Sequence, residues 1–152
     1  MKILEVLQKD AILENLESTD KKGILEELVA PVAKAAKVSE EGLVKVLLDR
    51  ERLGSTGIGG GVGIPHGKLK NLDNIVLGFG RSRNGVNFES MDGKPTHIFF
   101  LLVTPENSTG LHLKMLARIS RLLKDESFKE RLTNASSRDD IFTIIQEADE
   151  EF

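Results

Sequence analysis

The residues best suited to chemistry lie in one glycine-rich segment, residues 54–67, which holds seven of the chain's 14 glycines and ends in Pro65-His66-Gly67. A neutral imidazole is nucleophilic near neutral pH and can accept a phosphoryl group. Pro65 fixes its own backbone and restricts the residue before it, while Gly67 leaves room beyond the histidine. The pattern therefore makes His66 a candidate phosphoryl acceptor.

A phosphoryl group on this histidine needs positive charge and hydrogen-bond donors around it. Arg50 and Arg52 precede the segment and are the candidate guanidinium groups. Candidate backbone donors that would cradle the phosphoryl oxygens come from four glycines, namely Gly57, Gly59, Gly60 and Gly61. From the residues alone a second interpretation stays open, in which His66 is a hydrogen-bonded turn histidine and the arginines are solvated.

The same segment does not match the glycine motifs that bind nucleotides. A phosphate-binding loop needs four residues before its Gly-Lys-Ser/Thr, whereas three separate Gly63 from Gly67, and Leu69 lacks the required hydroxyl. The dinucleotide fingerprint fails because Val62 and His66 stand where it needs glycine.

Composition excludes several other classes of function. With 21 Lys and Arg against 24 Asp and Glu, the net charge of −3 argues against nucleic acid as a partner. The absence of cysteine excludes disulfides and thiolate metal sites, and the three histidines lack metal-ligand spacing. The longest apolar run, Ile98–Val103, is far shorter than the roughly 20 residues of a membrane helix. We expect one cytoplasmic domain spanning residues 1–152, without a metal or membrane insertion.

The elements that must position the histidine are helices bracketing a sheet, which is an α/β domain. Residues 1–18 fit a short helix or a short strand. Helical spacing then runs from an N-cap at Asp20 to Ala36, with Pro31 expected to kink or split the helix. A second helix starts at Ser39, with one face formed by Leu43, Val46, Leu47 and Arg50.

Two runs, residues 75–80 and 98–103, have strand composition and are apolar at successive positions, as expected of strands covered on both faces. Beyond Pro105 the chain is expected to be helical, with Ser137 and Asp140 capping the last helix. The first of these helices is expected to bury Leu113, Leu116, Ile119, Leu122 and Leu123. Its basic stripe fits a solvated face or a docking face for an acidic partner: Lys114, Arg118, Arg121 and Lys124. His97 is expected to be structural.

Several motifs follow one another in an order that resembles a known family. They are Asp49–Leu69, Val86-Asn87-Phe88, Asp92-Gly93-Lys94-Pro95, the strand ending in Thr104-Pro105, and His112 with Leu116. Together they resemble the fructose/mannitol-type enzyme IIA domain of the sugar phosphotransferase system, near its nitrogen-regulatory branch. The resemblance covers essentially the whole chain.

This resemblance implies a phosphocarrier with a mixed central sheet flanked by helices and with no metal or cofactor. It implies that His66 accepts a phosphoryl group from the phosphohistidine of HPr or of its nitrogen-branch homologue. Arg50 would pair with the phosphoryl oxygens, and His112 would be a second imidazole beside them.

The resemblance leaves two onward roles. Nitrogen-branch relatives bind regulated target proteins according to phosphorylation state, and we expect this role because a single domain uses all 152 residues. The alternative is a sugar-transport component that passes the phosphoryl group to a IIB domain. Composition alone also permits a small-molecule binding domain without phosphoryl chemistry.

Overall fold

A mixed sheet of six strands forms the centre of the computed structural model, which describes residues 2–151. The strands are β1 (Leu7–Leu13), β2 (Gly57–Gly59), β3 (Val62–Gly63), β4 (His66–Leu69), β5 (Val76–Val86) and β6 (Thr96–Pro105). Their order is β1-β5-β6-β3-β2, and β4 continues beside β6 where β3 ends. β6 is antiparallel to β5 but parallel to β3 and β4, and β1 is parallel to β5. The expected mixed sheet is confirmed.

Within residues 2–151, five α-helices cover the two faces of this sheet. They are α1 (Lys21–Ala36), α2 (Glu40–Glu51), α3 (Thr109–Leu123), α4 (Glu126–Asn134) and α5 (Arg138–Glu150), with a short 3-10 helix at Ile3–Glu5. One hydrophobic core lies under α1 and α2, and the other lies under α3, α4 and α5. Along β6, Phe99 faces the first core and Phe100 the second, so both sides of the strand are buried. This explains its unbroken apolar run.

The predicted helix starts are confirmed by capping hydrogen bonds. The side chain of Asp20 accepts from the amide of Gly23 at 2.8 Å, and Ser39 and Ser137 cap α2 and α5 in the same way. Of the two outcomes expected at Pro31, a kink or a split, the split is wrong, because α1 runs unbroken from Lys21 to Ala36. Its buried face against the sheet outweighs the single backbone hydrogen bond that the proline removes.

Two expectations for α3 are corrected. Leu113 is 60% exposed, and the buried face is formed by His112, Met115, Ile119, Leu122 and Leu123. Leu113 lies about 100° around the helix from His112, which is enough to turn it into solvent. Arg118 is not part of a solvated basic stripe, because its guanidinium lies 2.8 Å from the buried carboxylate of Asp149. None of the helices among residues 2–151 has the length and apolar character needed to cross a bilayer.

Candidate functional site

His66 opens β4 and pairs with Leu102 of β6, and the residue is half-buried. Its Nδ1 lies 2.7 Å from the carbonyl oxygen of Ile64. Since a carbonyl oxygen only accepts hydrogen bonds, Nδ1 carries the proton and Nε2 keeps its lone pair. Burial lowers the pKa of His66; the Ile64 carbonyl opposes this, and the charge of Arg50 lowers the pKa further. His66 is therefore a neutral imidazole at neutral pH, with a lone pair on Nε2.

His112 lies in the first turn of α3, and the structure brings it beside His66. The two ring centroids are 5.4 Å apart and the ring planes are tilted by 59°. The His112 ring is buried, and its Nδ1 lies 2.7 Å from the hydroxyl oxygen of Thr104 on β6. Burial, with smaller contributions from His66 and Lys68, lowers the pKa of His112 to about 4. The second imidazole is neutral at pH 7.

Of the two candidate guanidinium groups, the structure places Arg50 near the histidine. Arg50 lies in the last turn of α2, donates to the carbonyl of Gly54 at 3.0 Å, and exerts its charge on His66. Arg52 is 75% exposed at its side chain and is paired with Asp49. The site thus combines two neutral imidazoles with the guanidinium of Arg50.

Gly67 sets the distance between β4 and α2. A β-carbon at this position would lie 2.9 Å from Cγ1 of Val46, so only glycine lets the helix approach this closely. The space expected beyond the histidine is therefore filled by α2. Val46 and Arg50 are four residues apart and share one face of the helix, so this contact also brings the guanidinium toward His66.

Comparisons with known proteins show the family of this chain. Residues 5–148 match the family described as phosphoenolpyruvate-dependent sugar phosphotransferase system, EIIA 2. The chain belongs to this family. The family and the nitrogen-regulatory relationship expected from the motifs are confirmed.

Two curated relatives represent the two branches. The chain is 41% identical over 145 residues to a nitrogen regulatory protein of Bradyrhizobium diazoefficiens, covering 95% of each chain. It is also 41% identical over 150 residues to the fructose-specific EIIABC component of Bacillus subtilis. That match covers 98% of this chain but only 24% of the larger relative.

Solved structures agree on the fold. The nitrogen regulatory protein IIA-Ntr from Neisseria meningitidis superposes with a TM-score of 0.88 at 35% identity, covering 93% of this chain and 97% of that one. The mannitol IIA of Escherichia coli, at 23% identity, has a TM-score of 0.77 and covers 91% and 97%. This IIA protein is accordingly a component of phosphoryl transfer with the α/β fold of its family.

The glycines expected to cradle a phosphoryl group have another role in this IIA protein. β2 and β3 form a tight hairpin in which Gly59, Gly60 and Gly61 have φ values of +92°, +66° and +80°. The amide of Gly57 donates to Ser55 Oγ at 3.0 Å, and that of Gly60 donates to Asp92 at 3.1 Å. Both amides are already engaged, which argues against the cradle.

The position of this hairpin along the sheet also argues against a phosphoryl cradle at its turn. The carbonyl of Gly61 accepts from the amide of Ile98, whereas His66 pairs with Leu102. Four strand residues separate these positions, which is about 13 Å at roughly 3.3 Å per residue. The hairpin turn is therefore remote from His66, which argues against a cradle formed by Gly59, Gly60 and Gly61. His97 lies at this remote end and bonds the carbonyl of Ser82 through Nδ1 at 2.9 Å.

Sequence reasoning missed two charged residues at the site. Glu51 is buried; its carboxylate accepts from the backbone amide of Thr56 at 3.1 Å and from the same residue's hydroxyl, and it lies 3.0 Å from Lys21 Nζ. An acid in the last turn of a helix opposes the helix dipole, and this was the one available signal. Lys68 shares a strand face with His66, donates to Thr109 Oγ1 at 2.9 Å, and lowers the pKa of His112 after the larger effects of burial and of His66.

Proposed function

We propose that this IIA protein is a phosphocarrier that accepts a phosphoryl group on Nε2 of His66. The donor is the phosphohistidine of HPr or of its nitrogen-branch homologue. One observation carries the proposal. Nδ1 of His66 lies 2.7 Å from the carbonyl oxygen of Ile64 and donates its proton to it, which leaves the Nε2 lone pair for bonding to phosphorus.

In the transfer step the Nε2 lone pair forms the new nitrogen–phosphorus bond while the bond to the donor imidazole breaks. The released electron pair returns to the donor ring. The His66 ring becomes positively charged as it bonds phosphorus, and its Nδ1–H donates more strongly to Ile64. Arg50 and Lys68 offset the negative charge of the phosphoryl oxygens.

The onward role that we propose is regulation of a target protein by phosphorylation state. The 41% identity to a nitrogen regulatory protein, over 95% of each sequence, supports it. A phosphoryl group adds between one and two negative charges at the half-buried His66, beside the ring of His112. A target protein that contacts this surface therefore meets a different charge in the two states.

The test of the first step is intact mass after incubation with phosphoenolpyruvate, enzyme I and HPr, and in parallel with the nitrogen-branch donor system. We expect wild type to gain one acid-labile phosphate and His66→Ala to gain none. His97→Gln is the matched control, because it removes a histidine remote from the site, and we expect it to be phosphorylated normally. Phosphate uptake by His66→Ala at the wild-type rate would refute the proposal.

The alternative role is a sugar-transport IIA protein that passes the phosphoryl group to a IIB domain. The 41% identity to a fructose-specific component favours it. Mixing the phosphoprotein with isolated IIB domains separates the two roles. Retention of the phosphate supports regulation, whereas rapid loss to a IIB domain supports transport.

A further inference from the structure

The hydroxyl of Thr104 makes the contact that decides how the second imidazole is protonated. Thr104 lies near the end of β6, where its side chain is fully buried. Its Oγ1 is 2.7 Å from Nδ1 of His112. Within residues 2–151 this is the one hydrogen bond recorded for the hydroxyl.

Only one direction of this hydrogen bond satisfies both groups. If His112 donated from Nδ1, the hydroxyl proton of Thr104 would be buried without an acceptor among the described residues, which is costly. If the hydroxyl donates to the lone pair of Nδ1, both atoms are satisfied. The hydroxyl is therefore the donor, and Nδ1 of His112 is the acceptor.

The ring proton of His112 then has one place left. A neutral imidazole carries a single N–H, and burial keeps this ring neutral by lowering the pKa of His112 to about 4. Because Nδ1 is an acceptor, the proton is on Nε2. His66 has the opposite arrangement, with its proton on Nδ1 and its lone pair on Nε2.

We propose that Thr104 is a positioning residue, which holds His112 in the Nε2–H tautomer so that this imidazole donates a hydrogen bond to a phosphoryl group on His66. The inference rests on the proposed phosphocarrier function. The carbonyl of Ile64 and the hydroxyl of Thr104 thus place the ring proton on opposite nitrogens of two imidazoles whose centroids are 5.4 Å apart. One ring offers a lone pair to phosphorus, and the other offers a proton to a phosphoryl oxygen.

The first test measures the tautomers directly in the unphosphorylated protein. Long-range proton–nitrogen NMR spectra of protein labelled with ¹⁵N-histidine distinguish protonated from unprotonated ring nitrogens. The signals are assigned with single variants of the three histidines. We expect the proton of His112 on Nε2 and that of His66 on Nδ1. A proton on Nδ1 of His112 overturns the inference.

The second test measures phosphoryl transfer to His66 in Thr104→Val and Thr104→Ser. Valine keeps the shape but has no hydroxyl, so we expect transfer to slow by roughly 10-fold, less than the loss of a direct donor causes. Serine keeps the donor, so we expect transfer within about 3-fold of wild type. Valine and wild type transferring at equal rates would overturn the inference.

The same strand provides a matched control. Thr96 is also fully buried on β6, and its Oγ1 has no hydrogen-bond partner in the described part of the chain. Thr96→Val makes the same chemical change without touching either imidazole, and we expect unchanged transfer and unchanged tautomers. Slower transfer in Thr96→Val equal to that in Thr104→Val would show a general packing effect and overturn the inference.

These measurements separate the inference from the function on which it rests. A wild-type protein that gains no phosphate refutes the phosphocarrier, and the NMR spectra still decide the tautomer of His112. If wild type gains phosphate on His66 but its His112 is protonated at Nδ1, the role of Thr104 is refuted and the phosphocarrier function stands. If Thr104→Val does not fold, the wild-type spectra and the serine variant remain decisive.

Discussion

The ammonium of Lys21 lies 3.0 Å from the carboxylate of Glu51, and this buried ion pair ties the first turn of α1 to the last turn of α2. The same carboxylate holds the backbone and hydroxyl of Thr56, just before the glycine hairpin. Arg50 precedes Glu51 in the chain. The ion pair therefore anchors the helix end that carries the guanidinium of the site.

Removing the acidic partner tests this anchor. We expect Glu51→Ala to lower the free energy of unfolding by about 3 kcal/mol, because it leaves the largely buried ammonium of Lys21 with the exposed Glu89 as its remaining carboxylate partner in residues 2–151. Lys45→Ala breaks an exposed pair with Asp49 on the same helix and should cause no measurable change. Denaturant titrations of both variants check this, and equal stabilities would contradict it.

Arg50 and Arg52 form a natural pair for testing transfer. Arg50→Ala should slow phosphorylation of His66 by roughly 10²–10³-fold, because it removes a preorganised positive charge. Arg52→Ala should leave the rate unchanged, since this guanidinium is exposed and paired with Asp49. Rates with the same phosphorylated donor decide the matter. A comparable loss in both variants would mean that only the overall charge of α2 matters.

Stability should depend on pH through His112. Its pKa is about 4 in the folded protein, below the ordinary histidine value of 6.5, so the unfolded chain binds the extra proton between these pH values. The contribution, roughly 2–3 kcal/mol, is complete above pH 6.5 and is lost as the pH falls toward 4. The lowered pKa of His66 acts in the same direction.

The measurement is the unfolding free energy of wild type and His112→Gln from pH 4 to 7. The slope against pH should be smaller in the variant, because the carboxyl groups common to both proteins cancel in the difference. His97→Gln, which removes a histidine remote from this site, is titrated in parallel for comparison. Parallel curves for wild type and His112→Gln would contradict the prediction.

The close contact at Gly67 predicts a rescue. Gly67→Ala places a β-carbon 2.9 Å from Val46, so we expect a loss of about 1–3 kcal/mol and slower transfer as α2 moves away from β4. Adding Val46→Ala removes the clash and should restore part of both. Gly110→Ala, in α3, meets no atom within 4 Å and should not destabilise the protein. Thermal unfolding and transfer rates of the three variants test this.

Much of the fold follows from local signals in the chain. Asp20, Ser39 and Ser137 mark helix starts because capping involves groups only a few residues apart. The apolar runs of β5 and β6 predict strands covered on both faces, because successive residues of a strand point to opposite faces of the sheet. The sequence wrongly predicts Leu113 to be buried, because Leu113 is apolar and lies one position from the buried face of α3. Pro31 does not split α1, because packing of the helix on the sheet outweighed the local preference of proline.

The candidate site was predictable in its residues and less so in its arrangement. The ordered motifs from Asp49 to His112 were sufficient to identify the family, and they named both imidazoles. The glycines were expected to bind phosphoryl oxygens, since glycine density alone does not tell a cradle from a hairpin turn. Glu51 was missed because burial of a charged side chain depends on a partner, Lys21, from another helix.

The sequence by itself determined the family, the candidate histidine and the helix caps, because each depends on residues that are neighbours in the chain. Tertiary structure alone decided which atoms face each other. It placed His112 beside His66 through the packing of α3 on the sheet, and it set the protonation of each ring through Ile64 and Thr104. A tautomer is chosen by the hydrogen-bond partner of the ring, and for His112 that partner comes from a different element of the fold.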